Sequence, residues 1–234
     1  MKHTSVYRVT TLLTLASMTI LHSPNLLAQK ETGTIRGSVQ LPEIVLPQYR
    51  QSPSRYGGSM AHEAQDHAKK EGLPEATNVV VFLSGPGLDD VKRAEPKAVL
   101  SQRDATFIPH VLPIVKGATV EIVNRDKMFH NVFSLSPVKR FNIGRRPTGE
   151  EVPVTFDKAG IVPVFCDIHS HMSAFIVVLS NPMFAQPNDN GSYVIEGVPP
   201  GKYTIQTWHE RFSAPKQTVT VTAGDTSTVN FTLH

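Results

Sequence analysis

Hydrophobic and polar residues alternate with a period of two along much of the chain, whereas helical spacing is scarce. Such alternation is typical of β-strands that bury one face. Near the C-terminus, Val219 and Val221 alternate with threonines before the turn at 223–225. The pattern then resumes at Phe231 and Leu233. We therefore predict an all-β chain with a hairpin at this end.

Six short apolar segments also follow one another in the middle of the chain, with turns between them. They are residues 106–108, 119–123, 132–133, 152–156, 161–165 and 174–179. Short strands at regular spacing are typical of β-sandwiches and barrels. This region therefore predicts a small sandwich or barrel of its own.

The segments on either side of this region carry a second signature. Residues 190–205 contain an Asn-Gly turn, a short strand, a Pro-Pro-Gly turn and a further strand. This succession resembles the carboxypeptidase regulatory-like domains, small β-sandwiches of transthyretin-like shape. The two strands that precede the Asn-Gly turn in that family correspond to 33–39 and 78–83, far upstream. The resemblance implies a discontinuous host sandwich, and loop tips accept such insertions best.

The chain has one cysteine, Cys166, which lies in the run Cys166-Asp167-Ile168-His169-Ser170-His171-Met172. Upstream, a further histidine lies in Phe129-His130-Asn131-Val132. One thiolate, two imidazoles and one thioether form the ligand set of a blue-copper electron-transfer site. One tight loop can bring the cysteine, a histidine and the methionine to a single ion. The predicted ligands of one type 1 copper are His130, Cys166, His169 and Met172.

The same motifs resemble those of the cupredoxins, especially plastocyanin and amicyanin. His130-Asn131-Val132 is similar to the segment of the first ligand, and Cys166-x-x-His169-x-x-Met172 has the short ligand loop of amicyanins. The two-part arrangement also resembles exported proteins often labelled as methylamine-utilisation proteins. The resemblance implies a cupredoxin Greek-key β-sandwich or barrel. It further implies a trigonal plane of His130, Cys166 and His169, and Met172 as the long axial ligand.

The resemblance also assigns a role to Asn131, whose side-chain amide ties the two ligand loops together in cupredoxins. Two other histidines leave alternatives open. His171 is a possible replacement for His169 as a ligand or a surface residue beside the metal, and the offset used by cupredoxins favours His169. His110 matches no cupredoxin ligand, so we interpret it as structural.

The N-terminus has the pattern of an export signal. Lys2 and Arg8 precede an apolar stretch from 9 to 21, and small residues follow up to Ala28. The stretch is interrupted by polar residues and is short for a spanning helix. We expect cleavage after Ala28, a periplasmic or secreted location, and no stable membrane insertion of the mature chain.

The predicted organisation has four parts. They are a signal peptide at 1–28, a first part of the host sandwich at 29–95, a cupredoxin domain at 96–180, and a second part of the host sandwich at 181–234. The first host part contains a long loop at 47–76, rich in Pro, Gly, Ser and charged residues, to which we assign no role. Its histidines, His62 and His67, are expected to face solvent.

The charge pattern bears on possible partners. The formal net charge is only +3, and the chain lacks the basic runs with interleaved aromatic residues that indicate nucleic-acid binding. Lys139, Arg140, Arg145 and Arg146 form a basic cluster in one short segment. Such a cluster is suited to steering an acidic redox partner. A solvated loop is the alternative interpretation.

The sequence therefore predicts an exported carrier of single electrons between redox partners, rather than an enzyme. Copper binding and delivery is one alternative, although the methionines are scattered rather than grouped. A carbohydrate- or surface-binding module with a vestigial copper site is another, with Tyr203 and Trp208 as a possible aromatic platform. The neighbours of Cys166 are Phe165 and Asp167, not the histidines that lead to a copper cluster in multicopper oxidases.

Overall fold

The computed structural model describes residues 31–42, 76–94 and 96–234. The predicted signal peptide lies outside these ranges, as do His62, His67 and nearly all of the predicted loop at 47–76. The described residues form strands and one short 3-10 turn at Ala76–Asn78. The predicted all-β class is therefore confirmed.

The strands divide into three groups along the chain. The first group is β1 (Gly33–Gln40) and β2 (Val80–Ser84). The second is β3 (Ala98–Arg103), β4 (Thr106–Ile108), β5 (Val111–Val115), β6 (Thr119–Asn124), β7 (Phe133–Ser134), β8 (Phe141–Asn142), β9 (Glu151–Thr155), β10 (Gly160–Phe165) and β11 (Ser173–Leu179). The third is β12 (Phe184–Ala185), β13 (Ser192–Val198), β14 (Gly201–Trp208), β15 (Gln217–Val221), β16 (Thr226–Thr228) and β17 (Phe231–Thr232).

The first and third groups together form one sandwich, which we call the host sandwich. One sheet has the order β13-β1-β16, with β17 also on β1, and the other has the order β12-β2-β14-β15. Alternate residues point inward, so Ile35, Leu83, Ile195 and Ile205 are fully or almost fully buried in one apolar core. Segments far apart in sequence therefore share a core, which confirms the predicted discontinuous sandwich.

The second group forms the central sandwich. Its sheets have the orders β5-β11-β10-β7-β8 and β4-β3-β6-β9, and Leu100, Phe107, Ile122 and Phe156 are buried between them. All six predicted apolar segments correspond to strands. The structure adds β3, β5 and β8, of which β5 contains Pro113 and runs parallel to β11 at the sheet edge. Proline removes one donor, and an edge position accommodates that loss.

The predicted hairpin at the C-terminus is wrong. β15 pairs with β14, with Val219 opposite Tyr203, whereas β16 and β17 pair with β1 in the other sheet. The turn at Gly224, whose φ is 76°, carries the chain from one sheet to the other. Alternation identifies the buried face of a strand. Both sheets of a sandwich bury the same kind of face, so alternation does not identify the partner.

A smaller apolar cluster lies between the two sandwiches. Val80 of the host sandwich is buried there with Val111 and Val177 of the central one. Trp208 of β14 packs against Phe175 of β11, with ring centroids 5.3 Å apart. Trp208 therefore belongs to this interface rather than to an aromatic platform.

Polar contacts cross the same interface. His110 Nε2 lies 3.2 Å from Glu210 Oε2 of the host sandwich, and His110 Nδ1 lies 3.2 Å from the carbonyl of Ser173. Gln186 Nε2 donates to the Val111 carbonyl at 3.2 Å. His110 thus links the host sandwich to the residue at which β11 begins.

Within the described residues, no helix is long and apolar enough to span a membrane.

Candidate metal centre

The predicted cysteine lies at the end of β10, where the strand pattern turns it inward. Val162, Val164 and Cys166 alternate along this strand and are all buried in the core of the central sandwich. β10 pairs antiparallel with β11, and Phe165 lies opposite Ser173. Residues 166–172 therefore close a hairpin at one end of the sandwich.

Backbone hydrogen bonds inside this loop hold it tight. The Met172 N–H donates to the His169 carbonyl at 3.0 Å, and the Cys166 N–H donates to the Met172 carbonyl at 3.4 Å. Cys166 is 4% exposed and Met172 is 2% exposed, while His169 is half-buried. The loop thus turns both of its sulfur-containing side chains inward.

His130 comes to the same place from a different part of the chain. It is fully buried and follows the loop that leaves β6. Two backbone hydrogen bonds pair it with Arg146: the His130 N–H donates at 3.2 Å and the Arg146 N–H donates at 2.7 Å. This isolated bridge fixes the backbone of the histidine beside the ligand loop.

Three predicted ligands present their donor atoms to one point. Cys166 Sγ lies 3.9 Å from His130 Nδ1 and 3.9 Å from His169 Nδ1, and the two nitrogens are 3.1 Å apart. A point within this triangle lies about 2.0 Å from each nitrogen and about 2.3 Å from the sulfur, the bond lengths of a first-row ion such as Zn²⁺ to these atoms. The three donors therefore fit a single metal ion.

The fourth predicted ligand, Met172, is buried in the same apolar core as Cys166. His171, by contrast, is exposed, with its ring centroid 6.1 Å from that of His169. Of His169 and its alternative His171, His169 is therefore the one whose ring nitrogen lies in the donor triangle.

Sequence reasoning missed Asp126, which is buried beside His130. Its Oδ2 lies 2.7 Å from His130 Nε2. Burial acts to raise the pKa of Asp126, but hydrogen bonds from the Ala105 N–H, from His130 and from the Asp104 N–H outweigh it and hold that pKa below its usual value. The spacing of four residues between Asp126 and His130 is the one signal that the sequence offered.

The tie predicted for Asn131 is not observed. Asn131 is buried, and its Oδ1 has no hydrogen-bond partner among the described residues. Its backbone carbonyl instead accepts a bond from Gln102 Nε2 at 3.3 Å. The buried polar bond that orients the first histidine comes from Asp126, on the loop before it.

The surface around the cluster is apolar and basic. Met128, Phe129 and Ile168 are 48%, 57% and 38% exposed, and they lie on the two loops that carry the predicted ligands. Arg125 and Lys127 are exposed on the first of these loops. Apolar residues next to the cluster are therefore flanked by two positive charges on the first loop and by the exposed Asp167 on the second.

The predicted basic cluster is divided by the fold. Arg145 and Arg146 lie beside His130, although Arg146 is engaged by the Ile143 carbonyl and by Glu150. Lys139 follows Val138, which packs over Gly160 at the start of β10. Cys166 follows the other end of that strand. Only half of the cluster therefore borders the candidate metal centre.

Comparison with known proteins adds a family for one part of the chain. Residues 174–234 match the carboxypeptidase regulatory-like domain. The match covers the third group of strands and begins inside β11, which the structure pairs with β10 and β5 in the central sandwich. No curated protein sequence matches the chain.

Several solved structures resemble the chain over less than half of its length. A purple cupredoxin from Nitrosopumilus maritimus is 22% identical over 36% of this chain and 100% of its own, with a TM-score of 0.33. Amicyanin from Paracoccus versutus is 21% identical over 42% of this chain and 97% of its own, with a TM-score of 0.33. A copper-containing nitrite reductase from Thermus scotoductus is 27% identical over 46% of this chain and 27% of its own, with a TM-score of 0.35.

Proposed function

We propose that this protein is a type 1 copper protein that carries single electrons between redox partners. The observation that supports this most directly is the triangle formed by Cys166 Sγ and the Nδ1 atoms of His130 and His169. The ligand set is completed in this proposal by Met172. Two imidazoles, one thiolate and a weak thioether favour copper over zinc, because structural zinc sites use four strong ligands.

Copper held by these residues would supply one-electron chemistry, because their thiolate and imidazoles accommodate both Cu(I) and Cu(II). The chain's own contribution is a fixed and dry environment. His130 and Cys166 are buried, and their backbones are fixed by the bridge to Arg146 and by the end of β10. His169 is half-buried and lies nearest the surface, so we propose its ring edge as the route of the electron.

The surface around the centre supports an acidic redox protein as the partner. The exposed Met128, Phe129 and Ile168 provide an apolar contact, and Arg125 and Lys127 provide positive charge beside it. Electron-transfer complexes are small and short-lived, so an apolar patch with a charged rim is sufficient. We also propose export to the periplasm or the medium, in keeping with the signal pattern at 1–28.

The test is the visible spectrum of the mature protein after addition of Cu(II). We expect an intense thiolate-to-copper absorption that disappears in Cys166→Ala. His171→Ala is the matched control, because it removes a neighbouring imidazole that lies outside the donor triangle, and it should keep the absorption. A colourless wild-type protein without bound copper would refute the proposal.

A second measurement separates the carrier from copper delivery. A carrier should undergo reversible one-electron reduction and retain its copper when mixed with a strong Cu(I) chelator for the time of many reduction cycles. A delivery protein should lose the metal to the chelator on that timescale. Rapid loss with no reversible reduction would therefore favour delivery over electron transfer.

A further inference from the structure

The two ring nitrogens of His130 have different neighbours. Nδ1 faces the Cys166 sulfur and the ring of His169, whereas Nε2 lies 2.7 Å from Asp126 Oδ2. An ionised carboxylate only accepts hydrogen bonds, so Nε2 must carry the hydrogen and donate it. The lone pair of the neutral ring is then on Nδ1, inside the donor triangle.

We propose that Asp126 is the positioning residue for His130. It fixes the ring in the Nε2–H tautomer and increases the electron density that Nδ1 offers to a metal. The assignment of the tautomer rests on the hydrogen bond alone, whereas the effect on a bound metal rests on the proposed copper function. A carboxylate behind a ligating histidine typically raises the basicity of the ligand and orients its ring.

The carboxylate of Asp126 is itself held by two backbone N–H groups. It accepts the N–H groups of Asp104 at 2.6 Å and Ala105 at 3.0 Å, both in the turn between β3 and β4. These two residues have φ values of 51°, which aim successive N–H groups at one anion. Three donors therefore converge on the carboxylate of a residue that is only 7% exposed.

The backbone of Asp126 is anchored as well. Its N–H donates to Asn124 Oδ1 at 2.9 Å, and its carbonyl accepts the Thr148 hydroxyl. Asn124 Nδ2 also donates to the carbonyls of Met128 and Arg146 at 2.8 Å each. This network belongs to the sheet of β3, β4, β6 and β9, whereas Cys166 and His169 lie on the loop between β10 and β11. Asp126 thus fixes the position of His130 relative to Cys166 and His169, which come from the other sheet's loop.

Two substitutions of Asp126 separate the effect of its negative charge from the effect of its hydrogen-bond acceptor. Asp126→Asn keeps an acceptor for His130 Nε2 but removes the negative charge. We expect it to keep the Nε2–H tautomer, to raise the reduction potential, because the oxidised ion loses more stabilisation than the reduced one, and to weaken Cu(II) binding 10- to 100-fold. Asp126→Ala removes the acceptor too, so the His130 ring should lose its preference for the Nε2–H tautomer.

The experiment combines the copper-loaded and the metal-free protein. In the metal-free wild type, ¹⁵N NMR of the histidine rings should show hydrogen on His130 Nε2. The loaded proteins then give the reduction potential and the affinity for Cu(II). Asp157→Asn is the control, because it makes the same change at an exposed carboxylate in the turn before β10, at the other end of that strand from Cys166. It should change neither tautomer nor potential.

Two results would overturn the proposal. One is hydrogen on Nδ1 of His130 in the metal-free wild type, a measurement that does not depend on any variant folding. The other is an Asp126→Asn protein that melts at a lower temperature but keeps the wild-type potential and copper affinity, which would make Asp126 merely structural. If the wild type binds no copper, the proposed function fails, while the tautomer still decides whether Asp126 orients His130.

Discussion

The two sandwiches differ in where they bury polar side chains. Eight polar or charged residues are buried in the described part of the chain, and six of them belong to the central sandwich. These six are Gln102, Asn124, Asp126, His130, Asn131 and Ser134. Burying a polar group reduces the stability of the fold unless the group is hydrogen-bonded. We therefore interpret these buried polar residues as hydrogen-bonded groups that hold side chains in place.

The host sandwich and its borders bury only the other two of these residues, Asn181 and His209. The apolar core cluster of the host contains two tyrosines, Tyr193 and Tyr203. The Tyr193 hydroxyl donates to the Val229 carbonyl at 2.7 Å, and burial raises the pKa of that hydroxyl above its usual value. The core of the host therefore consists mainly of apolar packing, whereas the central sandwich adds a group of buried polar side chains that are held at defined distances.

The largest expected effect on stability comes from truncating one buried side chain in either core. Ile195→Ala in the host sandwich and Leu100→Ala in the central one each remove a fully buried side chain and should cost about 2–5 kcal/mol of unfolding free energy. Copper should raise the melting temperature of both variants, because a ligand stabilises whatever unfolds together with its site. The apolar cluster around Val80, Val111 and Val177 joins the two cores. Thermal unfolding with and without copper measures both effects.

The neighbour of Ile195 on β13 provides the control. Val194 is 52% exposed, so Val194→Ala should leave the unfolding free energy almost unchanged. Should copper protect Leu100→Ala but not Ile195→Ala, the two sandwiches unfold independently.

A smaller effect is expected at the interface. Trp208→Ala removes the ring that packs against Phe175, and should cost about 2 kcal/mol because the side chain is only half-buried. It should also separate thermal unfolding into two steps, of which copper shifts only the one belonging to the central sandwich. Differential scanning calorimetry resolves the steps. A single step that still shifts with copper would show that other contacts couple the sandwiches.

The smallest expected effect is a pH dependence in the host sandwich. Burial lowers the pKa of His209, whose Nδ1 accepts the N–H groups of Arg211 and Phe212 at 3.2 Å each. The unfolded chain therefore binds a proton more readily than the folded one. The stability contributed by neutral His209 is complete above the ordinary histidine pKa of about 6.5 and is lost as the pH falls towards its folded pKa.

His209→Asn tests this assignment, since its Oδ1 can accept the same N–H groups but does not titrate. Urea unfolding of the metal-free protein above and below about pH 6.5 should show a smaller loss of stability in the variant than in the wild type. An equal loss in the two proteins would assign the pH dependence to groups other than His209.

Many of the strands could be predicted because a strand with one buried face has alternating apolar and polar residues in its sequence. Alternating residues such as Val162 and Val164 identified β10, and the same alternation identified the strands of the host sandwich. The partners of those strands were less accessible. β15 and β16 are adjacent in sequence and have similar patterns, yet they lie in opposite sheets. Pairing depends on the packing of both sheets, which local alternation does not encode.

Some residues of the candidate metal centre could be predicted from local sequence, and others could not. The spacing between Cys166, His169 and Met172 is local, so one loop could be predicted from the motif alone. Asp126 could not, because its role depends on the turn at Asp104 and on the position of His130 after folding. The expectation for Asn131 failed for the same reason, since its surroundings are set by residues distant in sequence such as Gln102.

The place at which the central sandwich joins the host has a further consequence. β2 and β12 are neighbours in one sheet, with Phe82 opposite Phe184, and the Leu83 N–H donates to the Met183 carbonyl at 2.9 Å. The chain thus leaves the host and returns to it on adjacent strands, as it does in a simple hairpin. Because both chain crossings lie at one hairpin, the central sandwich is an insertion whose boundary divides neither core.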